Sequence, residues 1–416
     1  MTMSEDAPAG EIALGRFPQP WMTEGPARAV YDALARADGD PRFVGGCVRD
    51  GLLGRKIRDI DIATALEPPA IIAAADAAGL KHAPTGIEHG TVTVIADHVG
   101  IEVTTLRRDI ETFGRHATVG FSKDWREDAA RRDLTMNALS VALDGKVHDY
   151  FDGIADLRAG RVRFVGDPAD RMREDYLRIL RFFRFHADYA VGDFDAPALA
   201  AAVALKDHLT ALSGERLRQE TLKLLTARRG PETWRRMLAS GIVAAYLPAA
   251  TGIDRLEKVA ALEAMLKLRP DPIRRLGALI VTGSGPTVAA TLKLSNAERD
   301  RLNAIAAARP DFAVADPALV RRQIYDLGNA LALDLLLVDW GENDIDWRGT
   351  YEIVRDWPRP DFPLSGRDAA RFGIEPGPAI GKLMRAVEDW WIAGDFAADR
   401  DHCLAELKRR IEGRGA

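Results

Sequence analysis

The chain has 416 residues, of which 47% are hydrophobic and 29% charged, with a formal net charge of −5 and an isoelectric point near 6.0. This length exceeds one ordinary core, so two to four domains are expected, and the composition is that of a soluble globular protein. An acidic chain does not bind nucleic acid with its whole surface, so any RNA contact must come from local basic patches.

No apolar run reaches the length of a membrane span, and the start, MTMSEDAPAGEIALGRF, lacks the basic-then-apolar pattern of a signal peptide. A cytoplasmic protein is expected. Cys47 and Cys403 are the only cysteines, too few for a disulfide framework or a cysteine zinc site.

In chain order, residues 1 to about 20 are expected to be unstructured. From Glu24 to about Ala37 the spacing of Ala27, Val30, Tyr31, Leu34 and Ala35 predicts a helix with one stripe against a sheet. Residues 42 to 64, RFVGGCVRDGLLGRKIRDIDIAT, read as a strand, a glycine turn, a short helix, a basic turn and a second strand. A turn without Cβ atoms at Gly45 and Gly46 lets backbone N–H groups approach an anion at the start of a helix. Arg49 then sits one turn into that helix, and Cys47 reads as a small buried filler. Asp59 and Asp61, two apart on the second strand, would share one face of the pleat while Ile60 and Ile62 take the other, a cradle for a divalent cation. Phosphates held beside such a pair suit phosphoryl or nucleotidyl transfer. Asp-x-Asp alone proves little: the chain repeats it at Asp38/Asp40, Asp193/Asp195, Asp344/Asp346 and Asp399/Asp401, without the strand-glycine-glycine-helix unit.

A helix is predicted over Pro68 to Leu80, then a hairpin of Thr91 to Ala96 and Ile101 to Leu106 turning at Asp97 to Gly100. Residues 107 to 130 are polar and glycine-interrupted and read as a long functional loop. RRDLTMNALSVAL carries Arg132, Asp133 and Asn137 before an apolar helix. The stretch around Asp152 and Gly153 closes this first part, and a short strand around Val162 to Phe164 leads out of it. From Pro168 onward almost only helices are expected. The first, RMREDYLRILRFFRF (171 to 185), sets Asp175, Arg178, Arg181 and Arg184 every third residue. Each step falls back by about 60° on an α-helix, giving a winding polar stripe. A salt-bridged surface face would look the same. Further on, Ser213 reads as a helix cap, and Trp390 and Trp391 read as core residues.

The string GGCVRDGLLGRKIRDIDIAT resembles the signature of the class II nucleotidyltransferases, the tRNA CCA-adding enzymes and bacterial poly(A) polymerases. The resemblance implies an α+β chain: a DNA polymerase β-like head of mixed sheet and helices over 21–157, then a helical neck over 158–225, body over 226–340 and tail over 341–416, the tail gripping tRNA. It also implies Mg²⁺ on Asp59 and Asp61, with Glu102, matched in EVTTL, as a third carboxylate that helps activate the RNA 3′-hydroxyl. Gly45, Gly46, Arg49 and Arg132 fall where the family holds the triphosphate, and Asp133 and Asn137 match the same motif. Residues 107–130 correspond to a flexible loop that helps switch from C to A addition.

Glu174 to Arg178 matches the family's EDxxR motif, which makes Asp175 and Arg178 the readers of the incoming base. Cytosine and adenine each offer an amino donor beside a ring-nitrogen acceptor, so a carboxylate and a guanidinium select them over uracil and guanine. Arg181 and Arg184 would face the triphosphate. Glu215, Arg216 and Glu220 meet the next motif, ERxxxE, and are expected to support the nucleotide helix.

The expected activity is addition of CMP, CMP and AMP to the tRNA 3′ end from CTP and ATP. Poly(A) synthesis, C-only or A-only addition, and a non-catalytic RNA-binding role are the alternatives. HGTVTV stands where poly(A) polymerases have a basic stretch, and both Asp59 and Asp61 are present, against a dead head.

Overall fold

The computed structural model describes residues 12–84, 86–113, 116–307, 316–342, 346–372 and 377–413. The chain divides into two compact units at Pro248/Ala249. Among the described residues the first holds nine strands: β1 (Arg42–Val44), β2 (Asp61–Thr64), β3 (Lys81–Ala83), β4 (Thr91–Ala96), β5 (Val99–Thr105), β6 (Arg107–Phe113), β7 (His116–Phe121), β8 (Ser140–Val141) and β9 (Val147–His148). Its α-helices begin with α1 (Pro20–Thr23), α2 (Gly25–Arg36), α3 (Gly46–Leu52), α4 (Pro68–Ala77), α5 (Trp125–Ala130) and α6 (Gly153–Arg158). They continue with α7 (Pro168–Glu174), α8 (Leu177–Tyr189), α9 (Ala196–Leu205) and α10 (Gly214–Thr226).

Seven strands form one mixed sheet in the order β3-β4-β5-β2-β1-β8-β9, and β6 and β7 form a separate hairpin. β2 runs parallel to β5 and antiparallel to β1. The register stacks Phe43, Ile62 and Val103 side by side, all three fully buried, which fixes one face of the sheet as the core face. Helix α2 buries Ala27, Val30, Tyr31, Ala33 and Leu34. Ala33 takes the place expected of Ala35, which is exposed, because the stripe drifts with 3.6 residues per turn.

Several expectations are corrected. Residues 107–130 are not a structureless loop: backbone pairing joins β6 to β7 from Arg107↔Phe121 to Phe113↔His116, and α5 follows, capped by the Asp124 side chain on the Arg126 amide. Its ladder is made by backbone groups, and the polar, glycine-interrupted sequence gave no sign of it. The strand expected at Val162 to Phe164 is a single bridge, Leu134↔Phe164. Of the opening residues, 1–11 lie outside those described. Residues 12–19 carry no regular element, yet the Ile12 amide donates to Arg158 (2.7 Å) and the Gly15 amide to Leu52 (2.6 Å), so this stretch is pinned.

The predicted helix over 171–185 is two helices. Asp175 lies between α7 and α8 in an extended conformation (φ −155°, ψ 106°), where its carboxylate accepts from the Leu177 amide. An aspartate able to cap the next helix competes with continuing the one before it. Helix α8 then buries Ile179, Leu180, Phe182, Phe183 and Phe185. The ring of Phe182 meets Phe164, Phe183 and Phe194 at centroid distances of 5.4–5.8 Å.

The second unit is helical, and its interior holds charge as well as apolar groups. Arg274 bridges Glu263 and Asp334 (2.8 Å to each), Arg275 pairs with Glu263 (2.7 Å) and Arg301 reaches Asp334 (2.7 Å), joining four helices. Buried ions of this kind are tolerable only when every partner is satisfied. Trp391 is buried and donates to the Ala398 carbonyl, as expected of a core tryptophan, whereas Trp390 is exposed.

Phe182 is fully buried, and its truncation leaves a cavity beneath the helix that carries Arg178 and Arg181. Phe182→Ala is expected to cost about 3–5 kcal/mol and to lower the melting temperature on the order of 10 °C. Differential scanning calorimetry checks it: an unchanged transition would mean that α8 does not depend on this packing.

Candidate active site

The site begins where β1 ends. Gly45 has φ +71° and ψ −123°, which turns the chain out of the strand and into α3. The positive φ favours glycine, and a Cβ there would also meet the Arg132 guanidinium at 3.2 Å and press on the arginine lying over the turn. Because β1 leaves the sheet after Val44, its ladder with β2 stops at the pair Val44↔Asp61. Strand β2 therefore starts at Asp61. Asp59, expected on the same strand, lies outside any regular element just before it and is exposed.

On its other side Asp61 pairs in register with Glu102 of the parallel strand β5, while the neighbours Ile101 and Val103 are buried. The pleat thus brings Asp61 and Glu102 to one face, as the sequence predicted from a neighbouring strand. Burial, then the charge of Glu102, push the Asp61 carboxyl up to about 6; Arg132 opposes this and Asp59 adds to it. Among the described residues no three acidic, histidine or cysteine side chains already form a metal-ligating cluster. What the strand register supplies is an accumulation of negative charge that raises the energy of the Asp61 carboxylate. A divalent cation would relieve it, so the donor set fits one.

Around these carboxylates is a shell of arginines, each with an acidic partner. Arg132 takes Asp128 at 3.0 Å and reaches the Asn137 carbonyl at 3.4 Å. Asp128, 2% exposed, also receives Arg131 at 2.7 Å. Arg181 donates to Asp133 at 2.8 Å. Burial would push the Asp133 carboxyl up, yet the Arg181 charge with hydrogen bonds from Asn137, Arg181 and the Leu134 amide holds it at about 2. Asn137 ties this brace to α3: its amide donates to Asp133 (3.0 Å) and its oxygen accepts from Arg49 (2.6 Å). Arg178 is held by Glu174 and by the carbonyls of Arg171 (3.1 Å) and Arg131 (3.3 Å). Asp175 is paired not with Arg178 but with Arg216 of α10, at 2.6 Å.

One cleft is lined by Gly45, Gly46, Arg49, Asp61, Arg131, Arg132, Asp133, Asn137, Asp175, Arg178, Arg181 and Phe185. Of the residues singled out from sequence, Asp59 and Arg184 line an adjoining cleft that shares Gly46, Arg49 and Asp61 with the first. Glu102 lies beside Asp61 through the strand register alone. Arg184 pairs with Glu220, and Arg216 with Asp175, so the ERxxxE segment braces the residues around α8 as expected, through Arg216 and Glu220; Glu215 is exposed. Ser213 stands at the N-cap of α10 but its hydroxyl makes no capping bond. Cys47 is a buried filler whose thiol burial pushes up to about 12.

Sequence reasoning missed Asp128, Arg131 and Asn137's bridge. Asp128 precedes Arg132 by one helical turn, and that i,i+4 spacing was the available signal. A site that holds like charges together destabilises the protein that contains it. In chelator, Asp61→Asn is therefore expected to raise the melting temperature above pH 6. The gain should shrink as pH falls through about 6 and vanish below the ordinary carboxylate range, because protonation removes the same charge from the parent protein. A gain independent of pH would contradict it.

Residues 41–163 match the model of the poly A polymerase head domain, and residues 194–253 match that of the probable RNA and SrmB-binding site of polymerase A. The mitochondrial CCA tRNA nucleotidyltransferase 1 of Mus musculus is 32% identical over 94% of this chain and 91% of its own length. The CCA-adding enzyme of Levilactobacillus brevis is 30% identical over 92% of this chain and 96% of its own. Among solved structures, the Bacillus stearothermophilus CCA-adding enzyme in complex with CTP superposes with a TM-score of 0.74 at 26% identity, covering 96% of this chain and 99% of that one. With relatives this similar over nearly their whole length, and with the carboxylate pair, glycine turn and arginine shell in place, the chain belongs to the CCA-adding tRNA nucleotidyltransferase family.

Proposed function

We propose that the chain adds CMP, CMP and AMP to the 3′ end of tRNA from CTP and ATP, releasing pyrophosphate. One observation carries this reading: a single cleft is lined by the strand-borne carboxylate of Asp61, the glycine turn, Arg132, and the carboxylate of Asp175 and guanidinium of Arg178, the two groups that would suit the edge of a base. The relatives named for CCA addition support it, as does the fold shared with a structure holding CTP. The Thermotoga maritima enzyme complexed with tRNA shares the fold at a TM-score of 0.62 and 18% identity.

Enzymes of this family generally use a divalent metal, which we take to be Mg²⁺ held by Asp59 and Asp61. When bound it neutralises charge on the attacking and leaving oxygens. Glu102, beside Asp61, helps draw the proton from the RNA 3′-hydroxyl. The turn at Gly45 and Gly46, with Arg49 and Arg132, binds the triphosphate; Arg181 faces it while Asp133 and Asn137 hold these arginines in place, and Arg184 lies in the adjoining cleft. We assign the head to 21–157, the neck to 158–225, the body to 226–340 and a tRNA-gripping tail to 341–416. We place the protein in the cytoplasm. No described helix is long and apolar enough to cross a membrane.

The direct test is incubation with tRNA lacking its CCA end and with CTP alone, ATP alone, and both. Two cytidines followed by one adenosine is the expected product; a run of adenosines without cytidines would establish the poly(A) alternative. For base choice, Arg178→Ala and Asp175→Ala should each lose about 1–3 kcal/mol of discrimination against UTP and GTP, since a wrong base leaves buried polar groups facing like partners. Misincorporation ratios measured beside melting temperatures decide it: lowered stability with unchanged ratios would reduce the pair to a structural ion-pair face.

A further inference from the structure

Tyr189, the last residue of α8, has no part in the assignments above. Its hydroxyl donates to the Asp50 carboxylate at 3.0 Å. That carboxylate also receives two bonds from Arg49, Nε at 3.0 Å and Nη2 at 2.8 Å. The Arg49 guanidinium lies 4.3 Å from the centre of the tyrosine ring, and so does that of Arg55, from the basic turn that leads to Asp59. Phe185, one helical turn earlier, stacks on Tyr189 at 5.6 Å and stands 5.1 Å from Arg49. Arg55 further donates to the Asp188 carbonyl at 2.9 Å. One ring thus gathers two cations and one carboxylate from the segment that runs from the glycine turn to the catalytic aspartates. Such contacts strengthen when desolvated, and Arg49 is 7% exposed.

We infer that Tyr189 is a positioning residue: it holds Arg49 at the wall shared by the two clefts, aimed for the nucleotide's phosphates, and couples the base-reading helix to the phosphate-binding turn. The backbone of α3 does not by itself orient Arg49, because a guanidinium on a flexible stem keeps its rotamer freedom unless packed. Asp50 fixes the plane of the guanidinium, Asn137 its inner edge, and the ring of Tyr189 the remaining face. Burial pushes the tyrosine hydroxyl up to about 12, so it stays a donor to Asp50 at every working pH.

The inference rests on the proposed role of Arg49 toward the triphosphate, and the experiment separates the two. Steady-state kinetics with CTP and ATP on tRNA would be measured for Tyr189→Leu, Tyr189→Phe, Arg49→Lys, Arg49→Ala and the Leu/Lys double variant. Tyr189→Leu should raise KM for CTP and ATP alike, on the order of tenfold, with kcat and the KM for tRNA changed far less. Tyr189→Phe, which keeps the ring, should recover most of the loss. The double variant should be no worse than the poorer single one, since Tyr189 acts through Arg49. Additive losses, or a wild-type nucleotide KM in Tyr189→Leu while Arg49→Lys is impaired, would overturn the positioning role alone. A wild-type nucleotide KM in Arg49→Lys and in Arg49→Ala would overturn the reading of Arg49 itself. Should Tyr189→Leu fail to fold, Tyr189→Met carries the same expectations.

Discussion

The pairing of Asp61 with Glu102 across β2 and β5 is the constraint to which the rest of the first unit answers. Two carboxylates on one face of a sheet repel each other. Burial on one side sharpens the repulsion, because it removes the water that would screen it. The cost is held in place by the core on the opposite face, where Phe43, Ile62 and Val103 lock the register. A one-residue slip of β2 would send Asp61 into that core, so the hydrophobic layer and the acidic site enforce the same alignment.

The arginines follow from the same logic. A cleft proposed to take a triphosphate needs positive charge before the ligand arrives, yet uncompensated guanidinium groups would be as costly as the carboxylates. Each is therefore matched: Arg132 with Asp128, Arg181 with Asp133, Arg178 with Glu174, Arg184 with Glu220 and Arg49 with Asp50. Pairing leaves the positive groups oriented at the cleft wall with few rotamers left to lose on binding, which is where preorganised sites gain affinity. The break between α7 and α8 serves this arrangement, because it frees Asp175 from the helix and lets Arg216 hold it at the cleft.

The second unit uses buried charge differently. Glu263, Arg274, Arg275 and Asp334 are almost wholly buried and satisfied by one another, and they join helices that also bury leucine, isoleucine and valine side chains. The network specifies which helices meet, since a mispaired arrangement would leave an ion without its partner. Nothing in the linear spacing of these four residues announced the pairing.

The sequence alone determined the local elements whose periodicity or turn chemistry is strong: β1, the glycine turn, α3, the hairpin of β4 and β5, and the helical run after Pro168. It also nominated Asp61, Glu102, Arg132, Asp133, Asn137, Asp175, Arg178 and Arg181, because the motif resemblance tied residue types to spacings. Periodicity, however, is blind to ladders made by backbone groups and to bonds made by a single polar side chain. The self-paired hairpin of β6 and β7 was therefore read as loop, and Asp175 was read into a continuous helix that its own capping bond interrupts. Only the tertiary structure decided who pairs with whom: Asp175 with Arg216 forty-one residues on, Arg181 with Asp133 forty-eight residues back, and Tyr189 with Asp50 across 139. Those partners are chosen by where the packed core sets each helix and strand, and spacing along the chain carries no record of that distance.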